Sequence, residues 1–364
     1  MDGPMKRFTL LALLAIVCGG THADVLTLKA GHPESYVVKK GDTLWDISGM
    51  FLKDPWRWPK LWGANPQIAN PHLIYPGDRL TLVFIDGEPR LVTKPFKKIG
   101  PAGQVKTKGD AVPAIDLAVI QPYLVQNRVV DEVWLEQQPK VLGGESPSYH
   151  HVDGDVVYVQ GNVAEGTKLA FYAPGRKFED EATGESLGQE IILSATGRVI
   201  ESGDVSRVLL FRSFQETKAG YRVMSVEDDA LMPAYFMPMA GDTEGAKLLA
   251  ANGNIREMGK LDVAYIDRGA EAGVKPGQVF TVYKPGATVV MDGDGIPVAP
   301  EEQSAYDKMK GAFGDEIQLP KLYRGQVMIF KVFDKTSLGL ILIDQRPMRV
   351  GDELFKPDAI LKGE

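Results

Sequence analysis

A ten-residue pattern occurs twice in this chain, and it limits the fold more than any other feature. Gly166-Thr-Lys-Leu-Ala-Phe-Tyr-Ala-Pro-Gly is echoed at identical spacing by Gly277-Gln-Val-Phe-Thr-Val-Tyr-Lys-Pro-Gly. Three further echoes accompany it. Asp155-Val-Val-Tyr-Val returns as Asp262-Val-Ala-Tyr-Ile, Gly197-Arg-Val as Gly325-Gln-Val, and Leu209 to Gly220 matches Leu340 to Gly351 at equal length. Short apolar runs with β-branched or aromatic content, such as Val208-Leu-Leu-Phe and Leu340-Ile-Leu-Ile, have strand length between glycine turns. The echoes predict two related β-rich units, 115–240 and 255–364, rather than one large domain. The competing reading is a chance likeness of strand–turn–strand patterns. Between the units, Ala230 to Met258 carries Met232-Pro, Met237-Pro and an alanine-rich stretch, which suggests a connection with one short helix. The 39 glycines and 24 prolines agree with many turns and more strand than helix.

The N-terminus has the layout of an export signal, residues 1–23. Lys6 and Arg7 precede an apolar stretch from Phe8 to Val17, and Thr21-His22-Ala23 offers a small-x-small cleavage site. That stretch is too short to span a bilayer comfortably. Cys18 is the sole cysteine, and Val17 is a poor neighbour for a lipidated cysteine. Cleavage after Ala23 leaves no thiol, and hence no disulfide and no thiolate metal site. A cysteine-free exported chain fits a bacterial periplasm. The net charge of −7 argues against nucleic acid as a partner.

A compact unit occupies 35–84, followed by a Gly-, Pro- and Lys-rich stretch, 85–114, expected to be a linker. The unit parses as strand, helix, helix, strand. Tyr36-Val-Val alternates into a strand, and Gly41 permits the turn that follows. Thr43 can cap a helix with Asp46 at its third position, close to a capping box. Leu44, Ile47 and Phe51 then share one face. Pro59 suits the first position of a second helix, and Tyr75-Pro-Gly-Asp forms a turn into Arg79-Leu-Thr-Leu. Through Gly41-Asp-Thr-Leu-Trp, Asn65-Pro and Ile74-Tyr-Pro-Gly-Asp, the segment resembles the LysM family. The overall expectation is an α+β chain: a small βααβ LysM module, a linker and two related β-rich units. The resemblance implies binding of peptidoglycan, through its N-acetylglucosamine-containing glycan. The groove would lie between Gly41, Asp42, Thr43 and Leu44 on one side and Asn65, Pro66, Gln67, Ile68, Leu73, Ile74 and Tyr75 on the other. Backbone groups in turns can hold an N-acetyl amide while apolar side chains cover a sugar face. The helix–helix connection Lys53-Asp-Pro-Trp-Arg-Trp-Pro departs from the family by its length and its indoles. Four of the five tryptophans fall between Trp45 and Trp62. Trp56 and Trp58 could stack on sugar, but completing the core of a small domain is the favoured role for the set.

Catalysis finds little support. A cleaved chain offers no cysteine nucleophile, and zinc chemistry needs spaced histidines where only His32, His72 and the adjacent His150 and His151 remain. Asp292-Gly-Asp-Gly295 lacks the ligands of a calcium loop and fits an acidic turn. The stretch Glu301 to Pro320 reads as a surface insertion. No cofactor is called for. The chain as a whole resembles the secretin-associated TsaP family of type IV pili, which pairs such a LysM domain with a C-terminal region related to FlgT. That resemblance implies a periplasmic adaptor, not an enzyme, fixing an outer-membrane secretin ring to the wall. A peptidoglycan hydrolase or its activator, and a flagellar or other envelope-ring component, are the alternatives.

Overall fold

The computed structural model describes residues 26–62, 74–85, 87–93, 115, 117–226, 236–253, 255–291, 297–298 and 316–357. The expected signal with Cys18, the turn at Asp292 to Gly295, residues 301–315 of the expected insertion, and Asn65, Pro66, Gln67, Ile68 and Leu73 of the expected groove lie outside them.

The first module runs β1 (Ser35–Val37), α1 (Leu44–Phe51), a 3-10 turn (Pro55–Arg57), α2 (Trp58–Trp62), β2 (Arg79–Ile85) and β3 (Glu88–Thr93). Its antiparallel sheet has the order β1-β2-β3. The third strand corrects the sequence reading, which began the linker at Ile85. Leu82 pairs with Leu91, and Leu91 is fully buried. Two core-facing residues, Pro89 and Leu91, are too few to register as a period. Their burial against the module, joined through Gly87 at φ +81°, nonetheless fixes a hairpin. Pro59 also differs from expectation, standing second in α2 behind the 3-10 turn. The lead into the module is part of it: Lys29 N–H donates to Phe51 O, Lys53 N–H donates to Thr27 O, and Leu26 is buried in the core.

Beyond the module come α3 (Leu117–Gln126), β4 (Asn127–Val130), α4 (Glu132–Glu136), β5 (Val141–Gly144), β6 (Val156–Gln160), β7 (Lys168–Glu179), β8 (Ser186–Glu201), β9 (Val205–Ser213) and β10 (Arg222–Ser225). Strand order is β10-β7-β8-β9-β6-β5. Val141 N–H donates to Tyr221 O and Val223 N–H to Pro139 O, which brings β5 back to β10 and closes a six-stranded barrel. β4 pairs with β8 outside the ring. The second unit holds β11 (Met239–Ala240), β12 (Ala246–Ala251), β13 (Val263–Ile266), β14 (Gln278–Lys284), β15 (Thr288–Met291), β16 (Pro297–Val298), β17 (Glu316–Gln318), β18 (Leu322–Val332), β19 (Ser337–Asp344) and β20 (Glu353–Phe355). Its ring runs β14-β18-β19-β13-β12-β20 and returns to β14. Replacing β5 through β10 by β12, β13, β14, β18, β19 and β20 reproduces the circular order of the first barrel. Closure leaves neither ring with an unpaired edge.

The duplication extends to single residues. An isolated pairing of His151 with Thr217 recurs as Met258 with Met348. Gly154 has φ +90°, and its counterpart Leu261 has φ +72°. The echoed Gly197 and Gly325 lie where another strand comes close. A Cβ would sit 2.9 Å from Leu209 O in the first barrel and 1.9 Å from Ile343 O in the second. Only glycine fits such a backbone approach.

The alanine-rich stretch is not a helix. Ala246 to Ala251 is strand β12, with Ala246, Leu248 and Ala250 buried, so period-two burial overrides helix propensity. The expected surface insertion carries order as well, because β15 pairs with both β16 and β17 in a small sheet.

A buried polar cluster joins the barrels. Glu190 on β8 accepts from the Arg176 side chain (Nε, 3.1 Å) and from the Tyr265 hydroxyl on β13, while Asn127 Nδ2 donates to Tyr265 at 3.1 Å. Arg176 also donates to Ala251 O of the second barrel at 2.8 Å. Burial pushes the Glu190 carboxyl up, but the hydrogen bonds from Arg176 and Tyr265 outweigh it and hold the group below the usual carboxylate range. Lys331 on β18 donates to the carbonyls of Leu124 and Asn127 at the end of α3, where a cation meets the negative end of the helix.

Candidate functional site

The candidate site sits at one end of the first module, where two turns meet. The first leaves β1 and enters α1. Lys39 N–H and the Tyr36 hydroxyl both donate to Asp42 Oδ2 at 2.8 Å. Gly41 takes φ +94° with open space where a Cβ would be, so a left-handed backbone rather than crowding demands glycine there. Thr43 then caps α1. Its Oγ1 accepts from Asp46 N–H at 3.0 Å and donates to Asp46 Oδ2 at 2.6 Å, so one hydroxyl satisfies a helix-end donor and orients a carboxylate.

The second turn precedes β2. Asp78 Oδ2 accepts from Tyr75 N–H at 3.0 Å, and Asp78 N–H donates to Tyr75 O at 3.0 Å. Gly77 adopts φ +97° between them. The turns are tied together at the backbone: Val38 N–H donates to Asp78 O at 2.9 Å, and Gly77 N–H donates to Val38 O at 2.8 Å. Two carboxylates, Asp42 and Asp78, thus fix two loops that share a short strand. Burial and the neighbouring Asp42 carboxylate raise the Tyr36 phenol to about 12, so it stays a donor across the neutral range.

Of the groove residues expected from sequence, the structure brings Gly41, Asp42, Thr43, Leu44, Ile74 and Tyr75 to this end. Gly41 is exposed, and Asp42 and Tyr75 are half-buried. Leu44 and Ile74 point into the core at 0% exposure, so only their backbone can meet a ligand. The other groove candidates fall among the residues not described. Trp56 and Trp58 are 7% and 1% exposed, and the Arg57 guanidinium lies 5.0 Å from the Trp56 ring. Neither indole has a free face, which corrects the stacking role and leaves the core role in its place. Tyr36 and Asp78 were not among the expected site residues. The three-residue spacing of Tyr75 and Asp78 is the signal that marks the second as a turn carboxylate.

No helix among the described residues is long and apolar enough to cross a membrane, and no cluster of metal-ligating side chains occurs among them. Over 60 residues the chain is 42% identical to the uncharacterized protein YqbP of Bacillus subtilis (strain 168), a stretch that covers 14% of this chain and 27% of that relative. Residues 36–83 match the LysM domain model. Domains of that family bind N-acetylglucosamine-containing glycans and are not catalytic. The segment that holds the paired turns is a LysM domain, and the two barrels lie outside the match.

Proposed function

We propose that this chain is a non-catalytic, peptidoglycan-binding adaptor of the bacterial periplasm. The observation that carries the reading is the pair of turns at one end of a LysM domain, fixed by Asp42 and Asp78 and offering backbone donors and acceptors beside Tyr75. The glycan lies between those turns, with Asn65, Pro66, Gln67, Ile68 and Leu73 completing the contact. Its N-acetyl amide is held by backbone groups. The barrels form the other half of the adaptor. Their shared polar cluster makes them one platform, and the likeness of the whole layout to the TsaP family supports an outer-membrane secretin ring as the partner. Copies arrayed around a ring would gain avidity from weak single-domain binding.

Cross-linking of intact envelopes followed by recovery of the full chain tests the partner. A secretin as the main product is the expected result. Recovery with a flagellar basal body, or a clearing band on a wall-containing gel, would overturn the secretin and the non-catalytic readings respectively.

A further inference from the structure

An open cleft of about 1090 Å³, partly continuous with solvent, lies between the LysM domain and the second barrel. Lys29, Trp45 and Lys53 line it from the domain, and Lys260, Tyr323 and Leu342 from the barrel. The cleft is distinct from the paired turns but begins close to them. Asp46, whose N–H donates to Thr43, also accepts from Lys260 Nζ at 3.0 Å. One end of the cleft is therefore one helical turn from the groove.

Its chemistry is one-sided. Three lysines, Lys29, Lys53 and Lys260, line it with a single carboxylate, Asp46, among the described lining residues; Lys260 pairs with Asp46, and Lys29 Nζ donates to Gly49 O at 3.5 Å. Trp45 is 4% exposed, so what it shows the cleft is a strip of apolar ring. The neutral N-acetylglucosamine unit gives no reason for three lysines. The peptide that branches from the glycan does, since it brings carboxylates, amide carbonyls and short aliphatic side chains to a cleft walled by Leu342 and the Trp45 ring.

The geometry points to this cleft as a second subsite, for the carboxylate-bearing peptide stem of the same wall polymer whose glycan occupies the groove. The inference rests on the wall-binding reading. Lys53 and Lys260 hold the carboxylates, and Leu342 with the edge of the Trp45 ring covers the short aliphatic side chains.

The test uses the full chain and glycan strands of matched length, either intact or stripped of stems by an amidase. The expected result is binding of intact strands about tenfold tighter than stripped ones. That preference disappears in the Lys53→Ala/Lys260→Ala double variant, whose affinity for stripped strands is unchanged. Equal binding of both strands by the parent, or a preference that survives in the double variant, overturns the second subsite. Failure of the parent to bind either strand overturns the wall-binding reading with it.

Discussion

At the scale of single residues, the site depends on groups that hold backbone in place rather than on groups that react. Thr43 is the clearest. Thr43→Ala removes the α1 cap and should cost about 1 kcal/mol, read as a lower melting temperature, while Thr43→Ser should keep most of it. Tyr36 gives a pH signature. Its raised pKa means that the folded state holds the phenol proton more tightly than the unfolded chain does. The stability it contributes is complete below the ordinary 10.0 and is lost as pH climbs towards about 12. Tyr36→Phe should therefore flatten the alkaline limb of a stability-against-pH curve, and an unchanged limb would count against the Asp42 contact. Leu261 tests the duplication. It is the one described non-glycine residue at positive φ, is half exposed, and stands where the first barrel has Gly154. Leu261→Gly should relieve left-handed strain and stabilise by about 0.5 to 1 kcal/mol in denaturant titrations. The helix cap was legible because capping is local: Thr43 and Asp46 are three residues apart. The inward aim of Ile74 was not, because sequence gives residue type without the side from which the core closes.

At the scale of elements, the echoed glycines and tyrosines announced two β units, and the barrels repeat strand for strand. What spacing could not reveal was closure. The return of β5 to β10 and of β20 to β14 depends on pairings between residues far apart in the chain. Strands β3 and β12 were missed for related reasons. One is too short to show a period, and the other is built from alanines whose small size lets them pack inside a barrel. The join between barrels was equally hidden, because Glu190, Arg176 and Tyr265 come from separate strands. Removing the buried carboxylate leaves the Arg176 and Tyr265 donors without their acceptor. Glu190→Ala should cost about 3 kcal/mol, at the low end for a buried pair because Arg176 keeps some contact with water. The depressed carboxyl contributes stability at neutral pH that is lost as pH falls through its folded value. Glu190→Gln should accordingly weaken the acid dependence of the melting temperature, and a parent-like acid limb would contradict the network.

At the scale of the whole molecule, the chain divides its work. A small LysM domain carries two paired turns, and a much larger pair of barrels is joined through buried polar contacts; the proposed adaptor gives the turns to the wall and the barrels to a protein partner. The LysM domain was legible from Gly41-Asp-Thr-Leu-Trp and Ile74-Tyr-Pro-Gly-Asp, since those residues build the turns directly. The role of the barrels was not, because a barrel's outer surface carries no comparable local code. Sedimentation with purified sacculi tests the central claim most directly, comparing the full chain with Gly41→Val, which the left-handed turn at φ +94° should reject. The parent should pellet with the wall and be displaced by N-acetylglucosamine oligomers, and the variant should stay largely in the supernatant with its barrels still folded. A parent that remains soluble, or a Gly41→Val variant that pellets equally well, would contradict the account.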